Sequence, residues 1–164
     1  MSGARERRTG GCQCGAVRYA LQGALGRPSI CHCRMCQKAF GSFFAPLVGV
    51  ELAEFAVTRG EIAIFKSSDL VERGFCRACG TPLTFRELDG NRIDVSIGSL
   101  DDPAAVKPAV QYGVESRLPW FGELADLPVR TTAEGEKAER LRVIERTNRQ
   151  HPDHNTASWP GAGR

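Results

Sequence analysis

Cys31, Cys33 and Cys36 place three thiols within six residues, a spacing that invites a chemical explanation before a structural one. Thiolates so close together repel one another unless a cation neutralises them, so the run Ile30-Cys31-His32-Cys33-Arg34-Met35-Cys36-Gln37-Lys38 is a candidate metal site. Three sulfurs are one short of a closed tetrahedral zinc shell. An ion held this way keeps a position for water, a thiol or a carbonyl oxygen. The alternative is a fourth ligand from elsewhere in the chain, which would make the site a staple. The run itself does not decide between the two.

The other four cysteines are also grouped. Cys12 and Cys14 stand two apart, where extended backbone would point both to one side. Cys76-Arg77-Ala78-Cys79-Gly80-Thr81 has the form of a zinc knuckle, with a glycine where the backbone must turn its N–H groups toward sulfur. Seven cysteines are an odd number, and no secretory signal precedes them, which argues against a disulfide framework. Clustering of this kind points to metal ligation instead. Seven thiols suggest a four-plus-three partition, and the open question is which four belong together. An ion shared by Cys12, Cys14, Cys76 and Cys79 would tie the first strand to the knuckle, contributing on the order of 10 kcal/mol to folding.

These groups need a scaffold. A chain of 164 residues is enough for one domain with a real core. With 41% hydrophobic residues, 18 glycines and 9 prolines, it should be globular, rich in turns and poor in long helices. A net charge of +3 is too small to argue for nucleic acid or an anionic membrane surface as partner. Pro46 and Gly49 break the longest apolar run, residues 43–50, so no membrane span is expected. The basic residues Arg5, Arg7 and Arg8 are followed by no apolar signal segment, which points to a cytoplasmic protein.

Apolar alternation at Val17, Tyr19 and Leu21 predicts a half-buried strand. Residues 43–50 read as buried strand or linker, and 54–58 with 61–66 as a hairpin about Arg59-Gly60. A second hairpin is expected from 81–87 and 92–97 across Asp89-Gly90. Residues 109–115 read as a strand, and 134–149 as a charged helix with a stripe at Ala138, Leu141 and Ile144 and a Glu136–Arg140 pair. The expected organisation is a disordered leader at 1–9, a zinc-binding β domain at 10–127, and a charged helix with a disordered tail at 128–164. His151 and His154 then fall in solvent. His32, between two candidate ligands, reads as a hydrogen-bonding neighbour of the site or a proton carrier.

Taken together, Gly11-Cys12-Gln13-Cys14-Gly15, Cys31-His32-Cys33-Arg34-Met35-Cys36, Phe75-Cys76-Arg77-Ala78-Cys79-Gly80-Thr81, Gly98-Ser99-Leu100-Asp101 and the stretch from Ser116 to Trp120 resemble the glutathione-dependent formaldehyde-activating enzyme family, which includes centromere protein V. The likeness covers roughly residues 10–122. It implies a mainly β fold of several small coiled antiparallel sheets around zinc sites, here with one C-terminal helix. It implies two zinc ions per chain, a structural one on Cys12, Cys14, Cys76 and Cys79 and one associated with activity on Cys31, Cys33 and Cys36. The family's reaction joins glutathione to formaldehyde as S-hydroxymethylglutathione, a carbon–sulfur lyase reaction in reverse. Arg34 and Lys38 are then candidates to meet the tripeptide's carboxylates. Gln111 stands where many members carry a histidine. A carrier that binds zinc and thiol without turnover, or a protein-interaction module, is the alternative; the residues do not specify an oligomeric state.

Overall fold

A computed structural model describes residues 6–158. The chain is mainly β, with two sheets and a few short helices. The smaller sheet is antiparallel and runs β1 (Arg7–Gly11), β2 (Arg18–Gln22), β5 (Phe55–Arg59). The larger has seven strands in the order β10 (Val110–Tyr112), β3 (Ser29–Cys31), β4 (Ala45–Glu51), β9 (Arg92–Ser96), β8 (Pro82–Glu87), β7 (Val71–Phe75), β6 (Ala63–Lys66). All of its pairings are antiparallel except β10 with β3, which run parallel, a departure from the expected all-antiparallel sheets. Helix α1 (Arg34–Phe40) follows β3, and α2 (Thr132–Gly135) and α3 (Ala138–Thr147) follow the sheets.

The main core lies between the sheets. Tyr19 and Leu21 from β2 meet Val48 and Val50 from β4, Leu83 from β8 and Val95 from β9, all at 0–1% exposure. The β8–β9 hairpin forms as its Asp89-Gly90 turn predicts, with Thr84 opposite Val95 and Phe85 opposite Asp94. The hairpin expected at 54–66 does not form. β5 pairs with β2 and β6 with β7, so the two segments lie in different sheets. Phe55 stacks on Tyr19 at 5.6 Å and Ile62 packs on the same core, so both bury apolar surface that a local hairpin would leave open. Residues 43–50 resolve into β4, between β3 and β9 in the larger sheet.

Four further expectations are revised. Residues 7–9, assigned to a disordered leader, form β1 and pair in register with β2; residues 1–5 of that leader lie outside the described chain. β2 is buried on both faces, because Arg18 is only 3% exposed. Its guanidinium grips Asp101, with Nη1 donating to Oδ1 at 2.8 Å and Nη2 to Oδ2. The segment expected to be disordered from 151 is docked as far as it is described. His151 is 3% exposed and not solvated: its N–H donates to Gln13 O at 2.7 Å, and its Nε2 lies 3.2 Å from Arg59 Nη1. Asn155 Oδ1 accepts from Arg18 at 3.0 Å. His154 is exposed as expected, and residues 159–164 lie outside the described chain. The charged helix is interrupted at residues 136–137, so α3 is shorter than predicted; the Glu136–Arg140 pair is present at 3.2 Å. Among the described residues no helix is long and apolar enough to cross a membrane.

Burial works against the Asp101 charge, but donation by Arg18 and Thr9 holds its carboxyl below the ordinary carboxylate range. Its stabilising contribution is therefore complete above the unfolded-state pKa and is lost as pH falls through the lower folded value. Asp101→Asn leaves Arg18 buried without its counter-charge and should cost about 3–5 kcal/mol. Thermal melts of wild type and variant between pH 7 and pH 3 should show a large gap at neutral pH that narrows on acidification; parallel curves would refute the assignment.

Candidate metal centres

Cys12 and Cys14 do not lie in extended backbone, as expected, but in the turn between β1 and β2, closed by Gly15 N–H to Cys12 O at 3.1 Å and Cys12 N–H to Val17 O at 3.0 Å. The turn after β7 has the same form. Gly80 N–H donates to Cys76 O at 2.8 Å and Cys76 N–H to Thr81 O at 3.0 Å. Gly80 has φ +77, the left-handed backbone that its position in the knuckle requires. The two turns face each other, and Gln13 N–H donates to Thr81 Oγ1 at 3.1 Å between them.

The four sulfurs of Cys12, Cys14, Cys76 and Cys79 lie within 4.8 Å of one another. Cys12 and Cys14 are 3.6 Å apart and Cys14 and Cys76 3.9 Å. A tetrahedron with zinc–sulfur bonds of about 2.3 Å has edges of about 3.8 Å, so the spacing suits that ion. Cys12, Cys14 and Cys76 belong to the main core, and Val17 N–H points at Cys12 Sγ from 3.2 Å. Burial pushes the Cys12 and Cys14 thiols up. Cys79 goes the other way: burial opposes its charge, but the Thr81 hydroxyl and N–H lower it to about 6.

The remaining cysteines gather elsewhere. Cys31 ends β3, Cys33 caps α1, and Cys36 sits in its first turn with its N–H directed at Cys33 Sγ from 3.4 Å. Their sulfurs also lie within 4.8 Å of one another. They belong to a small satellite cluster with Ala45 and Leu47, not to the main core. Cys36 is buried, while Cys31 and Cys33 are half-buried. Burial pushes Cys31 up to about 12 and raises Cys36 in spite of Arg73, whereas at Cys33 burial is opposed by the Cys36 N–H together with the neighbouring thiols and the Met35 N–H, which lower the thiol. Two of the three sulfurs thus resist ionising until a cation joins them.

The loop between β3 and α1 is held from several directions. Gln37 Nε2 donates to His32 O at 2.7 Å and Ser116 O at 3.0 Å. Gly113, at φ +62, packs so tightly that a Cβ there would meet Cys33 N at 2.7 Å. His32 turns away from the sulfurs into an aromatic pocket, fully buried, with its ring edge-on to Phe121 at 4.6 Å. Its Nε2 lies 3.0 Å from Gln111 Oε1, and its Nδ1 has no partner. Gln111 thus sits directly against His32.

Beside the cluster a cavity of about 590 Å³ opens between α1 and the β6–β7 edge. Arg34 and Lys38 line it, with Met35, Phe40 and Phe65 as apolar walls and no acidic residue. Arg73 lines it too, and its Nη2 donates to Cys36 Sγ at 3.5 Å. Sequence reasoning missed Arg73, which lies on a strand distant from Cys36 and carries no motif of its own. No disulfide forms; all seven cysteines are free thiols. Two groups of donors are therefore present, each able to hold a metal ion and compatible with zinc.

A family model described as glutathione-dependent formaldehyde-activating enzyme matches residues 7–116. A crystal structure of a Rhodobacter sphaeroides protein is similar in fold, with a TM-score of 0.52 at 21% identity, covering 63% of this chain and 98% of that one. No curated protein matches the chain. The family match spans β1 to β10 and takes in both cysteine groups, and on that extent the chain belongs to the glutathione-dependent formaldehyde-activating enzyme family.

Proposed function

We propose that the protein condenses glutathione, or a related small thiol, with formaldehyde, and that the reaction takes place at a zinc ion held by Cys31, Cys33 and Cys36. The observation that carries this reading is the contrast between the two sulfur groups. Four sulfurs close a shell inside the core, while three sit in a satellite cluster beside a cation-lined cavity. Zinc bound by three thiolates would supply a coordination position at which a thiol loses its proton more readily or an aldehyde oxygen is polarised.

The chain's own residues do the rest. Arg34, next to Cys33, and Lys38, two residues past Cys36, line the cavity from α1 and in this reading would meet the carboxylates of a tripeptide. Phe40, Phe65 and Met35 give the cavity apolar walls. Gln37 and Gly113 hold the ligand loop in place. In the addition, sulfur forms a bond to the aldehyde carbon, the carbonyl π pair moves to oxygen, and that oxygen takes the proton lost by the thiol. No oxidant or reductant is needed. Cys12, Cys14, Cys76 and Cys79 hold a second, structural zinc in this reading, giving two ions per chain.

Metal analysis of the purified reduced protein should find two zinc ions per chain, falling to one in Cys33→Ser with the fold retained; one ion in both would remove the second site. Adduct formation from glutathione and formaldehyde, followed by NMR, should run faster with the zinc-loaded protein than without it. Saturable thiol binding at the background rate would instead make the protein a carrier. Arg34→Ala combined with Lys38→Ala should weaken half-saturation by glutathione about tenfold, equivalent to about 1.4 kcal/mol. A neutral thiol such as 2-mercaptoethanol should be unaffected, and an equal loss for both thiols would count against the carboxylate contacts.

A further inference from the structure

Arg73 is 8% exposed and has no carboxylate partner among the described residues. Its Nε donates to Ser67 Oγ at 3.1 Å, its guanidinium lies over the Phe85 ring at 5.0 Å, and its Nη2 donates to Cys36 Sγ at 3.5 Å. Nη1 is buried with no acceptor. A buried guanidinium without an anion costs several kcal/mol, so a strand does not retain one without compensation. The group it reaches is Cys36 Sγ, which lies within 4.8 Å of the sulfurs of Cys31 and Cys33. Those three thiolates around a dication would leave a site at about −1, and one guanidinium cation restores neutrality.

We propose that Arg73 is the fixed counter-charge of the three-cysteine metal site, a positioning residue that acts through Cys36. The inference rests on reading that cluster as a metal site, and it adds the residue that sets its charge. Neutrality matters for the ligand as well: a site at zero receives an anionic thiolate more readily than one already negative. β7 fixes Arg73 while α1 fixes Cys36, so the contact is made by two independently placed elements. Phe85, opposite Arg73 in β8, carries the guanidinium over its ring face, with Cζ 5.0 Å from the ring centroid.

The test uses the full chain titrated with cobalt, followed by its visible and thiolate charge-transfer bands, and with zinc against a chelator. Arg73→Met should weaken metal binding at the three-sulfur site by about 10–100-fold and leave the four-sulfur site unchanged. Arg73→Lys should recover most of the loss. Unchanged affinity in Arg73→Met overturns the proposal, as does a loss shared by both sites or one that lysine does not restore. A second measurement covers poor folding of the single variant. With the site dismantled by Cys31→Ser, adding Arg73→Met should raise the melting temperature, whereas it lowers it in the intact holoprotein; one sign in both backgrounds overturns the proposal. One ion per unmodified chain would remove this inference and the proposed zinc reaction together. Two ions with unshifted affinity remove only this inference, and a background adduct rate removes only the reaction.

Discussion

Four sulfurs from two separate sheets have to converge on one point, and most of the architecture follows from that requirement. Cys12 and Cys14 leave the end of β1, Cys76 and Cys79 leave the end of β7, and the turns that carry them must face one another within about 4.8 Å. β1 and β7 are in different sheets, so the cluster fixes how the sheets meet. Tyr19, Val48, Leu83 and Val95 fill the space that this arrangement encloses. The same junction is reinforced on the polar side, where Arg18 of β2 grips Asp101 beyond β9, and Tyr19 hydroxyl meets Ser99 Oγ at 2.7 Å. A metal held in the core is thus coupled to the packing around it, and losing one would loosen the other.

What could be read in advance was whatever depended on neighbours in sequence. The three cysteine groups, the knuckle with Gly80 and the β8–β9 hairpin all rest on spacing and turn chemistry that act over a few residues. Most of the failures are long-range. Phe55 and Ile62 satisfy a hairpin pattern locally, but each gains more by packing on the core, Phe55 from β5 and Ile62 from the residue before β6. Arg18 reads as the polar face of β2 until Asp101, 83 residues away, neutralises it. His151 reads as part of a polar tail until Gln13 and Arg59 receive it. The helix α1 was hidden for another reason: its seven residues are a single capped segment in which the thiol of Cys33 serves as the cap, a role the metal-ligand reading of that residue obscured.

The candidate site shows the same division. Ligand identity was legible because chelation by neighbours forces the cysteines together in sequence. The surroundings of those ligands were not. Gln37, Gly113, Ser116 and Arg73 come to Cys31, Cys33 and Cys36 from α1, from the segment after β10 and from β7, and no local pattern connects them. Arg34 and Lys38 were legible as charges near the ligands, while the cavity they line needed β6 and β7 to form its far wall.

The two sulfur groups differ in what a metal would be free to do. In the core group Gln13 N–H of one turn donates to the Thr81 hydroxyl of the other and Val17 N–H to the sulfur of Cys12 in its own turn, and three of the four cysteines are buried among apolar side chains. An ion there would meet four sulfurs, a setting that favours permanence. In the satellite group two of the three cysteines are half-buried, no fourth sulfur approaches, and the neighbouring wall is cationic and apolar. His32 does not fill the gap, because its ring is packed against Phe121 and Phe44 with Nε2 on Gln111. Position 111 carries an amide, which holds that imidazole in place and exchanges no proton of its own. Proton traffic at such a site would therefore fall to the sulfurs, the incoming thiol and water in the cavity. Charge control would come from arginine and lysine, leaving the buried histidine to the packing of the loop that presents the ligands.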